Sequence, residues 1–172
     1  MRGTRKSDQP LEARDLEEAA LRYLNRFDCS VDKLRRHLRT LIRRRGADLT
    51  ALTEALEALL ARYRQSGLLD DARFAKNLGA RLSERGGSRR LVLSKLRARG
   101  VGSGDAEAAL PRSAENELAA ARALVRRRRL GPHRPEAERQ ENRRRDLAAL
   151  ARAGFDHETA ARALGYGADE DF

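Results

Sequence analysis

Leu93-Ser94-Lys95-Leu96-Arg97-Ala98-Arg99-Gly100-Val101 and, further along, Leu147-Ala148-Ala149-Leu150-Ala151-Arg152-Ala153-Gly154-Phe155 are two versions of one pattern. In each, two leucines three apart share one face of a helix, a glycine stops it, and an apolar residue tucks back beneath. The same offset leads on to Leu110 in the first stretch and Leu164 in the second. A weaker copy stands upstream, where Ile42, Gly46 and Leu56 keep the register but Arg39 replaces the first leucine and Ala47 the tucked residue. Glycine and leucine agreeing at fixed offsets mark a repeat. A unit this small buries little core alone, so neighbours must stack and cover each other's edges. The pattern predicts an all-α fold of three tandem three-helix repeats, stacked into an elongated, curved rod. Its expected divisions are a disordered lead-in over 1–10, a degenerate first repeat over 11–67, a second over 68–112, and a third over 113–172 with a basic linker and short tail.

Outward from these stretches, apolar residues recur at three and four along nearly the whole chain. Leu16, Ala19, Ala20, Tyr23, Leu24 and Phe27 form one stripe; Leu34, Leu38, Leu41 and Ile42 the next; Leu52, Leu56, Leu59, Leu60 and Tyr63 a third. Phe74, Ala75, Leu78 and Leu82 mark a helix that opens at Asp70 or Asp71 and stops at Gly86-Gly87. Ser88 suits the N-cap of the helix through Leu93 and Leu96, Ser103 that of a short helix ending at Leu110, and Asp156 that of the last helix. Leu118, Ala121, Leu124 and Val125 open the third set.

Composition agrees. Of 172 residues, 40% are hydrophobic, largely Ala and Leu, and 37% are charged, with no Trp, three Tyr and four Phe. Ala, Leu, Arg and Glu lose little freedom in a helix, while the β-branched and aromatic residues that favour strands are scarce. The formal net charge of +11 draws the chain to polyanions: nucleic acid, an anionic membrane face or an acidic protein surface. A GC-rich genome accounts for Arg over Lys, but not for the excess of positive over negative charge.

Cys29 stands alone, so no intrachain disulfide or thiolate metal cluster is expected, and a reducing cytoplasm is the natural location. No apolar stretch reaches membrane-spanning length, and Met1 to Pro10 lacks a signal-peptide core. His37, His133 and His157 are far apart and lack metal-ligand partners at helical spacing. No strand leads into a glycine-rich phosphate loop. Asp70-Asp71 reads as a complement to a helix dipole, because adjacent residues at a helix start do not face each other across a substrate. Cys29, flanking a helix, reads as inert. No active site, cofactor or metal is expected, and a monomer is.

The arginine runs differ in what explains them. Arg43-Arg44-Arg45, and Arg126, Arg127, Arg128 and Arg129, precede glycines at helix C-termini, where cations stabilise the dipole by about 0.3–1 kcal/mol each. Arg89 and Arg90 follow the cap Ser88, and Arg143, Arg144 and Arg145 approach Leu147, toward the start of a helix that Arg139 to Asn142 could already open, and the dipole repels cations near such a start. Charges that oppose a local rule without compensation point to a ligand. Arg35, Arg36, Arg39 and Arg97 extend the same candidate basic face. No aromatics interleave with these arginines, so the contacts expected are to phosphates and independent of base sequence.

Gly67-Leu68-Leu69-Asp70-Asp71-Ala72-Arg73-Phe74-Ala75, the Gly86-Gly87-Ser88-Arg89-Arg90 entry to Leu96-Arg97-Ala98-Arg99-Gly100-Val101, and the ending Leu147 to Phe155 together resemble the RecX regulatory protein family. Tyr23-Leu24 and Ser30 to Leu38 fit its first repeat, so the resemblance spans nearly everything after Pro10. It implies three tandem three-helix units in a curved rod, lodged in the groove of RecA recombinase filaments on single- or double-stranded DNA, inhibiting the recombinase and often filament growth. It brings no catalytic residues. The chain departs from the family in lacking the aromatic residue common after Gly87, and in its Arg-heavy linker from Arg126 to Arg145. Two other readings fit the charge: a nucleic-acid-binding helical protein that needs no recombinase, and an adaptor whose basic face meets an acidic partner.

Overall fold

In a computed structural model, residues 10–110 and 112–166 are described. Apart from Pro10, the expected lead-in lies outside them, as does the end of the tail. The described residues are all-helical: α1 (Ala13–Leu24), α2 (Val31–Arg44), α3 (Leu49–Gln65), α4 (Asp71–Glu84), α5 (Arg89–Ala98), α6 (Ser103–Ala109), α7 (Ala114–Arg128), a single 3-10 turn (Gly131–His133), α8 (Glu136–Ala153) and α9 (His157–Leu164). None of these helices is long and apolar enough to cross a membrane. The chain divides into two compact units, one of residues up to Phe74 with Arg99–Gly102, the other of Ala75–Ala98 with the residues from Ser103 onward.

In the first unit the stripes read from the sequence face inward. Leu16 and Ala20 of α1, Leu34, Leu38 and Ile42 of α2, and Leu56 and Leu60 of α3 are almost wholly removed from water. Ser30 caps α2 by accepting the Lys33 N–H at 3.1 Å, and its hydroxyl donates to the Arg99 carbonyl. Asp70 and Asp71 divide their work. Asp70 caps its own helix through the Arg73 N–H at 2.8 Å, whereas Asp71 accepts from the Val31 N–H at 2.8 Å and so serves the start of α2. The sequence reading placed both at one helix start. The cross-helix contact depends on tertiary placement that adjacency in the chain does not encode.

The second unit closes on Leu118, Ala121, Leu124, Val125, Leu147, Leu150, Phe155, Ala160 and Leu164. Ser88 is fully buried; it accepts from the Leu91 N–H at 3.2 Å, and its hydroxyl donates to the Ala153 carbonyl at 2.7 Å. Ala153 ends α8, and Gly154 follows with φ +98°, a left-handed turn open to glycine. A β-carbon there would lie 2.5 Å from the Ser88 hydroxyl, so the bare glycine is what lets the end of α8 abut the start of α5. Asp156 caps α9 through Thr159, as the sequence indicates.

Two sequence expectations need correction. Ser103 is the first residue of α6 rather than its cap. Arg143, Arg144 and Arg145 stand mid-helix in α8, which begins at Glu136. The acidic first turn, Glu136 and Glu138, starts that helix before any apolar stripe appears, so hydrophobic periodicity placed its beginning too late. The dipole argument for those three arginines therefore falls.

Candidate polyanion-binding cleft

Four helix C-termini of the second unit meet around one cleft of about 480 Å³. Its apolar floor includes Leu91, Val92, Leu124 and Ala149, and its rim carries Arg85, Lys95, Arg127, Arg128 and Arg152. Each cation answers a local need. Lys95 and Arg152 lie in the last turns of α5 and α8, Arg127 and Arg128 in that of α7, and Arg85 directly follows α4. A helix C-terminus carries about half a negative charge, which favours a cation there.

What brings them together is the Gly86-Gly87 turn. Gly86 has φ +79°, and a β-carbon on it would sit 2.6 Å from the Leu124 nitrogen and 2.7 Å from its Cα. The turn and the α7 backbone are thus in direct contact. All five cations are exposed, no carboxylate lines the cleft, and none of the five is ion-paired among the described residues. Five like charges at close quarters repel one another and hold counterions, which a polyanion displaces with a gain in entropy.

Of the arginines singled out in the sequence, only Arg127 and Arg128 belong here. Arg89 is spent on structure: its Nε donates to the Leu110 carbonyl at 2.8 Å and its Nη2 to Glu107. The half-buried Glu117 carboxylate accepts the Arg89 backbone N–H at 3.0 Å and so answers the dipole of α5, the compensation whose absence had pointed to a ligand. Burial pushes the Glu117 carboxyl upward despite Arg89, and the Arg89 hydrogen bond holds Glu107 below the usual carboxylate range. Arg97 pairs with the same Glu107 at 3.1 Å. Arg126 and Arg89 line a second cleft together with Glu84 and Glu117, where charges of both signs mix. Arg90 is exposed beside Gly154.

Arg143 lays its guanidinium over the Tyr166 ring at 4.6 Å, an aromatic partner the sequence reading had not assigned to these arginines, while Arg144 and Arg145 are exposed. Arg129 ends α7 in a left-handed conformation with φ 53°. In the first unit Arg35 forks onto Glu57 at 2.8 and 2.9 Å, Arg39 stands 4.0 Å from Glu57, and Arg36 pairs with Asp32 at 2.9 Å.

Arg85, Lys95 and Arg152 escaped the sequence reading because each stands singly rather than in a run of adjacent cations. Asp146 escaped it too. This carboxylate is fully buried, accepts the Gly131 N–H at 2.8 Å, and receives both arms of Arg134 at 2.9 and 2.8 Å. Burial alone raises its pKa, but the Arg134 and Gly131 hydrogen bonds outweigh that and hold it below the ordinary aspartate range. It fastens the turn after the Arg126–Arg129 run. An acid beside Leu147, on the apolar face of the helix, was the available signal. Cys29 is buried, and burial, with Asp28 and Asp71 nearby, pushes its thiol up to about 11.

These features define the class: an all-helical, basic protein with a cation-rimmed cleft and, among the described residues, no cluster of side chains fit to hold a metal. No family model matches the chain. It is 39% identical over 150 residues to the regulatory protein RecX of Myxococcus xanthus, covering 81% of this chain and 79% of that one. It is 36% identical over 156 residues to the regulatory protein RecX of Halorhodospira halophila, covering 91% and 89%. The chain belongs to the RecX family of regulatory proteins. The RecX crystal structure from Lactobacillus salivarius superposes with a TM-score of 0.66 at 15% identity, covering 89% of this chain and 94% of that one. A second crystal structure of a regulatory protein RecX gives 0.59 at 20% identity, covering 89% and 73%. At such identities the likeness concerns the fold.

Proposed function

We propose that this chain regulates RecA recombinase, docking in the helical groove of RecA–DNA filaments and inhibiting them, with the five-cation cleft set against DNA phosphates. The observation that carries the DNA contact is the gathering of Arg85, Lys95, Arg127, Arg128 and Arg152 without a carboxylate, in a chain of the RecX family. The body that docks is three tandem three-helix repeats over 11–67, 68–112 and 113–172, stacked into a curved rod. The double role of Ser88, which caps α5 while holding the last carbonyl of α8, supports such stacking. Arg90, Arg144 and Arg145 are further phosphate contacts, and the protein acts as a cytoplasmic monomer without catalytic chemistry of its own. A filament with DNA along its axis offers a deep anionic groove, and phosphate contacts fix position without reading bases.

The test is RecA ATP turnover on single-stranded DNA, with wild type and with a variant carrying glutamine at the five cleft positions, over a range of salt. Wild type lowers turnover. The variant inhibits less, and its log–log salt slope is flatter by about 3.5, from roughly 0.7 per lost contact on a single strand. Unchanged turnover with wild type removes the recombinase reading. A variant as potent as wild type at every salt removes the cleft. The cleft also suits a plain nucleic-acid binder, and tight duplex binding with no effect on RecA turnover favours that reading instead.

A further inference from the structure

Apart from the basic cleft, the first unit carries a cluster of flat rings. Tyr23 of α1 stacks on His37 of α2 with ring centroids 4.2 Å apart and planes at 29°, and the Phe27 ring lies 5.0 Å from that of Tyr23, tilted by 44°. Phe27 is 52% exposed, an unusual cost for a phenylalanine in so aromatic-poor a chain. The rings line an open depression of about 450 Å³ whose walls include Arg22 and Arg26. Neither of these exposed arginines is ion-paired among the described residues. The wall also carries two acids and a third arginine, Arg45: Asp15 accepts the Glu12 N–H at 3.0 Å, and Glu18 has a partner of its own, so cations outnumber acids three to two.

We infer that Phe27, Tyr23 and His37 form a stacking platform for an unstacked base of single-stranded nucleic acid, with Arg22 and Arg26 placed for its flanking phosphates. Flat aromatic faces stack on any base, and guanidinium groups beside them suit a ligand that pairs a flat ring with negative charge. An apolar protein side chain would gain the rings but waste the cations. Burial first, then Lys33 and Arg44, lower the His37 pKa, which favours the uncharged imidazole as a stacking face. Duplex DNA keeps its bases stacked on one another and offers no free face. The platform therefore adds a preference for single strands to the sequence-independent phosphate contacts, and it does not depend on the recombinase reading.

The experiment needs no recombinase. Binding of the full chain to a labelled oligothymidylate, to an abasic strand with the same number of phosphates, and to a duplex is followed by fluorescence anisotropy at moderate salt. Wild type binds the thymidylate about tenfold more tightly than the abasic strand, equivalent to about 1.4 kcal/mol, within the range for stacking one base on an aromatic ring. Phe27→Ala, at a half-exposed position that leaves the core intact, reduces that ratio to within about twofold and leaves abasic binding unchanged; Phe27→Trp restores it. The five-position cleft variant lowers affinity for both strands together. Equal wild-type affinity for the two strands overturns the inference, as does a Phe27→Ala protein that keeps the preference. Loss of RecA inhibition by Phe27→Ala with no base preference in wild type also overturns it, and assigns the rings to a protein contact.

Discussion

Alanine at residue 86 puts a methyl group where α7 already stands. The added carbon would lie 2.6, 2.7 and 2.8 Å from the N, Cα and Cβ of Leu124. Non-bonded carbons rest at about 3.5–4.0 Å, and a helix backbone does not swing aside as a flexible side chain does, so α7 must retreat by about 1 Å. Two costs add. Holding a non-glycine residue at φ +79° costs about 1–2 kcal/mol, and forcing an extra carbon into a packed contact about 1–3 kcal/mol. The less flexible unfolded chain returns about 0.4–1 kcal/mol, so the net loss is about 2–4 kcal/mol, large against the 5–15 kcal/mol typical of a domain. Two other glycines separate the parts. Gly46→Ala shares the left-handed φ, at +65°, but meets nothing within 4 Å, so it isolates the first cost. Gly104→Ala sits in the helix α6 in open space and gains about 0.5–1 kcal/mol. Urea melts followed by far-UV circular dichroism read the order directly, since an m-value of about 1–3 kcal/mol per molar turns the Gly86 loss into a midpoint drop of about 1 M or more. Because α7 carries Arg127 and Arg128, Gly86→Ala also weakens polyanion binding, whereas Gly46→Ala does not. A Gly86→Ala protein as stable as Gly46→Ala refutes the backbone contact and the cleft geometry built on it.

Ser88→Ala removes an N-cap, about 1 kcal/mol, and leaves the Ala153 carbonyl short of a donor, about 1–3 kcal/mol more; a urea midpoint equal to wild type would contradict both roles. Asp146 has a folded pKa below the unfolded aspartate value of about 3.9. Its contribution is therefore complete at neutral pH and is lost as pH falls from near 4 through the folded value. Asp146→Asn should be less stable than wild type at pH 7 and draw level with it in acid, and parallel stability curves across that window would exclude the assignment. Cys29, with a thiol near pKa 11, holds about one thiolate in a thousand at pH 8. Its alkylation in native protein should be slow and rise sharply in urea; fast native labelling would show the site to be open.

Local rules carried the helices a long way. Ser88 and Asp156 cap where capping chemistry places them, and the inward stripes were visible as Leu and Ala at three and four. Regular spacing is a property of the chain itself. The cleft is not, since Arg85, Lys95 and Arg152 reach it from three separate helix ends and stand as isolated cations in the sequence. Arg89 misled for the converse reason: the dipole conflict was real, but its answer came from Glu117, a residue of another helix. The arginines of α8 misled because its first turns have no apolar face to announce them. The ring cluster joins residues of α1 and α2, and Arg22 and Arg26 lie outside the runs that draw the eye.

The hydrogen bond from Ser88 to Ala153 sets where the chain tolerates changes of length. An α-helix turns about 100° per residue. One residue added between Asp146 and Ala153 would thus swing the final carbonyl away from the hydroxyl or the acid away from Arg134. Upstream, Arg139 donates to the Pro132 and Arg134 carbonyls while Gly131 and Arg134 reach across to Asp146, so a turn gained or lost between Arg134 and Asp146 pulls that anchor apart as well. Length variation among relatives should therefore avoid the whole stretch from Gly131 to Ala153.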